Sequence, residues 1–317
     1  MKKTIFIDGQ HGTTGLKIHE RLKGRGDITI VEIPIEKKKD PEVKKKYLNE
    51  ADIVFLCLPD DAAREAVSMV TNPSVCIIDA STAHRTAEGW VYGLPEMNKQ
   101  QRDYIRLSNR ICVPGCHATG FVLILYPLIA SGIVPRDYPV SAFSISGYSG
   151  GGRSMIAQYN VPELSDDMKN PRPYALKLNH KHVPEMQKIP CLSFPPVFFP
   201  TVANFYNGEI ISVPFYKRFL SKKMTSRDLF SFYQEYYQGE QFVKVMPYPS
   251  DAALQNGFLT ITRCNETNMA EIFVFGDDEK MVLTARFDNL GKGSSGAAVQ
   301  NMNIKIGAEE NTGLNYR

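Results

Sequence analysis

The sequence predicts an α/β chain: a doubly wound Rossmann-type domain, then an α+β domain whose sheet is mostly antiparallel. Three observations carry this. Short β-rich runs alternate with helical stretches over the first third of the chain. A glycine turn follows the first run. Beyond about residue 135, strand-like runs follow one another with few helices between them.

Taken in order, residues 4–8 form the first β-rich run, followed by a polar amphipathic stretch to about Gly24 and a second run at 28–33. A lysine-rich segment, read as a solvated connection, leads to a third run at 52–58. Residues 60–67 open as a helix, with Asp60 and Asp61 at the positive end of its dipole. Runs at 75–79 and 110–113 complete the series. The third and fourth runs are almost continuously apolar, as expected of strands covered on both faces. In the second part, strands are expected at 141–146, 209–215, 257–264, 270–275 and 281–287, and a helix through 293–302.

Composition narrows the function. The 317 residues are 43% hydrophobic and 22% charged, enough for a full core and unlike a disordered chain. With 37 basic and 34 acidic residues the balance gives no footprint for nucleic acid. No apolar run reaches the roughly 18 residues needed to span a bilayer. Asp8 and Gly9 interrupt the N-terminal segment where a secretory signal would stay apolar. Six scattered cysteines without a CxxC pair suit a reducing cytoplasm. A cytoplasmic protein is expected.

Four motifs carry chemistry. Gly9-Gln10-His11-Gly12-Thr13-Thr14-Gly15 joins the first strand to the first helix, where glycines let the backbone approach a pyrophosphate and helix N–H groups meet its charge. The same spacing also suits a plain tight turn. Glu32 is a candidate for ribose hydroxyls, whereas the lysines at 37–39 favour the 2′-phosphate of NADP. Pro114-Gly115-Cys116 precedes an apolar helical run, which places Cys116 at a helix N-terminus where a thiolate is stabilised. Cys57, Cys76 and Cys112 fall in buried strands and are expected to be inert.

His117 follows Cys116 directly, and neighbours at i+1 on a helix do not face each other. His180 and His182 form an HxH pair that would put both rings on one face of an extended chain; with no third ligand nearby, no metal is expected. The loop Ser146-Gly147-Tyr148-Ser149-Gly150-Gly151-Gly152-Arg153 reads as an anion cradle completed by Arg153, with Arg85 a second anion binder.

With these pieces placed, the chain resembles the short form of the N-acetyl-γ-glutamyl-phosphate reductase family, which belongs with the aspartate-semialdehyde dehydrogenase-like enzymes. The resemblance runs nearly end to end, through Asp79-Ala80-Ser81, Tyr92-Gly93-Leu94-Pro95-Glu96, Pro114-Gly115-Cys116, His180-Lys181-His182-Val183-Pro184-Glu185 and Asp288-Asn289-Leu290-Gly291-Lys292-Gly293. Where longer members have an aromatic residue after the cysteine, this chain has His117.

The resemblance implies NADPH-dependent reduction of an acyl phosphate to a semialdehyde through a thioester on Cys116, with His180 as base and acid. It implies substrate contacts at Arg85, Ser149, Arg153, Tyr174, His182 and Glu185. Cofactor contacts are implied at Gly9, His11, Gly12, Thr13, Thr14, Gly15, Ser81, Asn289, Gly293 and Ser294. It implies a discontinuous cofactor domain, 1–115 with 290–317, around a catalytic and dimerisation domain at 116–289, and a homodimer or homotetramer. An aspartate-semialdehyde or aminoadipyl-phosphate-type reductase, and an NADP-binding regulator without turnover, are the rival readings.

Overall fold

The computed structural model describes residues 2–37 and 40–316; Lys38 and Lys39 of the lysine run lie outside the described residues. The chain divides into two compact units. One takes the residues up to Pro95, Lys99–Pro114 and Ser294–Leu314; the other takes Glu96–Asn98, Gly115–Gly293 and the residues from Asn315.

The first unit is a parallel α/β sheet. Its elements are β1 (Lys3–Asp8), α1 (Thr13–Leu22), β2 (Ile28–Val31), α2 (Pro41–Glu50), β3 (Ile53–Leu56), α3 (Asp60–Met69), β4 (Cys76–Asp79), β5 (Val91–Tyr92), α4 (Gln101–Leu107) and β6 (Arg110–Cys112). The strand order is β2-β1-β3-β4-β6-β5, and every pairing is parallel. β3 and β4 are buried at every position, as their unbroken apolar runs require. Phe6, Val54, Leu56 and Ile77 pack with Leu48 of α2 and Ala63 and Ala66 of α3. The late helix Gly296–Ile306 belongs to this unit: Asn301 donates to the carbonyl of Gly93 at 2.9 Å, and Thr14 shares a 3.1 Å hydrogen bond with Ser294.

The second unit begins with α5 (Cys116–Ala130), followed by β7 (Ser141–Gly147), α6 (Gly152–Tyr159), a single turn α7 (Asp166–Lys169), β8 (Arg172–Pro173), α8 (Val183–Lys188), β9 (Val197–Ala203), β10 (Glu209–Tyr216), α9 (Ser226–Tyr236), β11 (Val243–Val245), β12 (Ala270–Gly276) and β13 (Lys280–Phe287). The helix Gly296–Ile306 is α10 in chain order. The seven-stranded sheet runs β11-β12-β13-β10-β7-β9-β8, with antiparallel pairings except at β7–β9 and β11–β12.

α5 lies against the inner face of this sheet. A Cβ on Gly120 would come within 2.5 Å of both Ile211 and Phe287, so only glycine lets the helix approach this closely. Pro127 has no N–H for the carbonyl of Leu123; the Tyr237 hydroxyl supplies the missing donor at 2.5 Å.

Two sequence expectations are corrected here, and one strand is added to them. The lysine-rich connection is helical over Pro41–Glu50, started by Pro41 at its first position and by Asp40, whose carboxylate accepts from the N–H groups of Glu42 and Val43. Residues 257–264 form no strand: a short bridge joins Gln255 to Phe258 and a 3₁₀ turn covers Ile261–Cys264. The strand β9 went unread, because Pro195, Pro196 and Pro200 break its pattern.

Candidate active site

In the first unit, the glycine turn is built around backbone crowding. Gly9 has φ +85°, and a Cβ there would sit 2.3 Å from the carbonyl oxygen of Cys57; a Cβ on Gly15 would sit 2.4 Å from the carbonyl oxygen of Gly9. Gly12 is the N-cap of α1, and no side chain caps that helix. Its first-turn N–H groups are therefore open to an anion. The Thr13 hydroxyl is buried without a hydrogen-bond partner, and His11 is exposed beside it in sequence. A cradle of crowded glycines, open helix N–H groups and an unanswered hydroxyl fits a dinucleotide pyrophosphate.

Asp79, fully buried at the end of β4, organises the adjoining loop. It accepts from the Ser81 N–H at 2.9 Å, the Ser81 hydroxyl at 2.7 Å, and pairs with His84 Nδ1 at 2.6 Å. His84 in turn stacks on Trp90. Arg85 donates to the carbonyls of Val113 (2.9 Å) and Ala80 (3.1 Å), so its guanidinium stitches loop to strand within this unit. Glu32 is half-exposed and lies 3.3 Å from His19 Nε2.

In the second unit, Cys116 is the first residue of α5, partly exposed, with Gly115 as an N-cap that carries no capping side chain. The buried Glu185 accepts from the Gly115 N–H at 2.9 Å. His182 is the N-cap of α8, in a turn and not an extended segment as HxH suggested; its N–H donates to His180 Nδ1 at 3.2 Å. The two rings still meet edge to face, with centroids 4.8 Å apart.

His117 is the main correction. The i+1 rule holds it apart from Cys116 only if neither side chain bends inward at the helix start. Here the sulfur of Cys116 and ring nitrogens of His117 and His182 all lie within 4.8 Å of one another. Of the HxH pair, it is His182 that folding brings to Cys116 and His117. Both His117 nitrogens are engaged: Nδ1 lies 2.5 Å from Glu209 and 2.9 Å from the Ser144 hydroxyl, and Nε2 lies 2.9 Å from the Tyr174 hydroxyl. His117 is thus held by hydrogen bonds to residues outside this group. Burial, and then the negative charges of Cys116 and Glu209, push the Tyr174 phenol above its usual value.

Sequence reasoning missed Glu209 and Ser144, which sit on the inner faces of β10 and β7. An acid at a strand edge gives no signal of which face it occupies until the sheet order is known.

The other expected site residues have more varied settings. Asn289 is buried, donating to Ser149 at 2.9 Å and accepting from the Gly208 N–H at 2.8 Å, so the two brace the loop after β7. Gly293 lies against Cys116, where a Cβ would come 2.9 Å from the cysteine Cβ. Arg153 is exposed at the start of α6. Two further motif residues form a buried ion pair: Lys292 Nζ lies 2.7 and 2.8 Å from the Glu96 carboxylate oxygens.

This architecture and cysteine-histidine cluster define the class. The chain matches the semialdehyde dehydrogenase NAD binding domain over residues 5–104 and the semialdehyde dehydrogenase dimerisation domain over residues 116–289. Aspartate semialdehyde dehydrogenase II from Vibrio cholerae has the same fold, with TM-score 0.70 at 16% identity over 96% of this chain and 99% of that one. Within the class, the chain is 47% identical to N-acetyl-gamma-glutamyl-phosphate reductase 2 of Nostoc sp. over 99% of both, and 44% identical to N-acetyl-gamma-glutamyl-phosphate reductase 2 of Pseudomonas putida over 96% of this chain and 97% of that one. The chain belongs to the N-acetyl-γ-glutamyl-phosphate reductase family.

Proposed function

We propose that the chain reduces N-acetyl-γ-glutamyl phosphate to N-acetylglutamate 5-semialdehyde and phosphate, a step toward arginine, in the cytoplasm and with NADPH as reductant. The observation that carries this is Cys116 at the open N-terminus of α5, beside His117 and His182, in a chain close in sequence to reductases of that name.

The Cys116 thiolate attacks the acyl carbon, the bond to the phosphate oxygen breaks, and a thioester forms. NADPH, when bound, supplies the hydride that reduces the thioester carbon. His180 protonates the resulting oxygen; it then takes the proton back as the C–S bond breaks, freeing aldehyde and returning the thiolate. His182 and Tyr174 line the reacting carbon, and Glu185 fixes the turn that carries the nucleophile. Arg85, Arg153 and Ser149 are assigned to the anionic groups of the substrate.

The turn from Gly9 to Gly15, with His11, Thr13 and Thr14, would hold the pyrophosphate, supported by Ser81. Asn289, Gly293 and Ser294 would serve the nicotinamide end, the first through the Ser149 loop. The lysine run after β2 favours the 2′-phosphate of NADP over NAD.

The matched dimerisation domain makes the chain oligomeric. A homodimer, or a homotetramer built from it, would use the outer face of the second sheet. There Phe143, Val197, Phe199, Tyr216 and Val282 are all more than a third exposed, on strands whose register places them on one side. Among the described residues, no helix is long and apolar enough to cross a membrane.

Turnover tests the reading directly. NADPH oxidation should depend on N-acetylglutamyl phosphate and proceed poorly with aspartyl or aminoadipyl phosphate. Mass spectrometry of enzyme mixed with acyl phosphate alone should find the acyl group on Cys116; an unmodified Cys116 would remove it as nucleophile. His180→Asn should lower turnover far more than NADPH affinity, and an equal loss in His182→Asn would exchange their roles.

A further inference from the structure

Glu209 is wholly buried at the first position of β10, and among the described residues its ion-pairing partner is His117, at 2.5 Å from Nδ1. The Ser144 hydroxyl donates to the same Glu209 oxygen at 3.3 Å, and the second carboxylate oxygen is buried without a partner. On the far side of the imidazole, Nε2 meets the Tyr174 hydroxyl at 2.9 Å. The line Glu209–His117–Tyr174 thus ends among the rings that surround Cys116: His180 lies 5.2 Å from His117 and 5.6 Å from Tyr174, centroid to centroid.

Proton counting along this line fixes its direction. A bare carboxylate beside a neutral ring would leave an uncompensated anion in the core, which is strongly disfavoured. The pair is neutral overall only if it holds two protons. One lies between Glu209 Oε1 and Nδ1, on whichever atom. The other has no acceptor if it sits on the partnerless Glu209 Oε2, whereas on Nε2 it meets the Tyr174 oxygen, so Nε2 is the favoured place. Nε2–H donates to the phenol oxygen, and the phenol's own hydrogen points away from His117.

We propose that Glu209 is a positioning residue that, through His117, turns the Tyr174 O–H outward as a donor for the oxyanion that develops on the carbon bound to Cys116. This rests on the reductase reading above. Glu209→Gln changes one atom and, with the amide oxygen kept at the Oε1 position where Ser144 donates, reverses the line: that oxygen accepts from Nδ1–H of a neutral ring, Nε2 becomes an acceptor, and the Tyr174 hydrogen is drawn back toward His117.

The test is a double-mutant cycle with ¹⁵N NMR of the histidine rings. Loss of one oxyanion donor lowers turnover by about 10²-fold. Glu209→Gln and Tyr174→Phe should each approach that loss with KM for NADPH within about twofold, and Glu209→Gln should cause no further loss in the Tyr174→Phe background. The same fold-loss in both backgrounds would overturn the proposal. The His117 spectrum of the native protein should show a hydrogen on Nε2, and that of Glu209→Gln should show Nε2 bare. A native Nε2 without hydrogen would also overturn it, and this reading needs neither a variant that folds nor turnover. Absence of turnover in the native enzyme would count instead against the reductase reading.

Discussion

Glu185 Oε1 accepts the main-chain N–H of Gly115 at 2.9 Å, so a buried carboxylate sits one residue before the cysteine that opens α5. The bond anchors the turn, while the negative charge opposes a thiolate nearby. The two effects separate by substitution. Glu185→Gln keeps an acceptor and removes the charge, and iodoacetamide should then alkylate Cys116 faster at pH 7, by up to about tenfold, the equivalent of one pKa unit. Glu185→Ala leaves a buried N–H unanswered and should lower stability by about 1–3 kcal/mol. Alkylation rates followed against pH, with urea unfolding of both variants, check the pair of outcomes.

The six cysteines should divide sharply by reactivity. Burial pushes the thiol of Cys76 up to about 11 and that of Cys264 up to about 12, and pushes Cys57 up further; Cys112 is buried at the end of β6. Cys191 is exposed, and Cys116 and Cys57 are partly so. Cys57 lies just past the end of β3 and not within a buried strand as expected, but its raised thiol keeps it in the unreactive form. Brief alkylation of the native protein at pH 7.5 should label Cys116 and Cys191 alone. Substrate should protect only Cys116, as peptide mapping would show. Labelling of Cys76 or Cys264 in folded protein would contradict the burial described here.

The contrast between Cys116 and Glu209 shows what the sequence made legible. Cys116 could be placed because its surroundings are local: Pro114 and Gly115 end a strand, and an apolar run starts a helix. The parallel sheet was legible for the same reason, since unbroken apolar runs mark β3 and β4 as covered on both faces. Glu209 and Ser144 reach His117 only through the register of β10 on β7, where Ile211 faces Ser144 and Glu209 faces Ser146. Their partners are 92 and 27 residues away in sequence, and no periodicity encodes that. α2 was hidden because its lysines gave a charged face and its only fully buried side chain is Leu48.

The three glycines of the first turn should behave differently. Gly9→Ala and Gly15→Ala drive a methyl group against main-chain oxygens at 2.3 and 2.4 Å, so both should destabilise the fold itself. A Cβ on Gly12 meets the Gly9 oxygen at 3.3 Å, a contact small shifts can relieve. Gly12→Ala should therefore fold with a stability change within about 1 kcal/mol and show its effect as a raised KM for NADPH. Thermal unfolding beside cofactor titration distinguishes the cases. Equal destabilisation by all three would make the turn a structural device only.

Tyr174 should stay protonated wherever the enzyme works. Its phenol is pushed above the usual value near 10 by burial first and by neighbouring negative charge second. A raised pKa keeps the O–H form through neutral and moderately alkaline pH, so no inflection in the turnover profile between pH 6 and 10 should belong to this group. Tyr174→Phe should lower turnover at every pH and leave the midpoints of the profile in place. An alkaline limb that vanished in Tyr174→Phe would show that the phenol ionises within the working range.

Lys292 and Glu96 come from two motifs 196 residues apart, and both are fully buried. The ammonium bridges both carboxylate oxygens at 2.7 and 2.8 Å and lies 5.5 Å from the centre of the Phe242 ring. Each buried charge is compensated by the other. Removing one charge leaves its partner desolvated, which typically lowers stability by about 3–5 kcal/mol, whereas replacing both with apolar side chains of similar volume is often neutral. Lys292→Met should shift the urea midpoint down by a margin of that size. Lys292→Met combined with Glu96→Leu should recover most of the loss, and a double variant as unstable as the single would mean that surrounding packing, and not the unpaired carboxylate, carries the penalty.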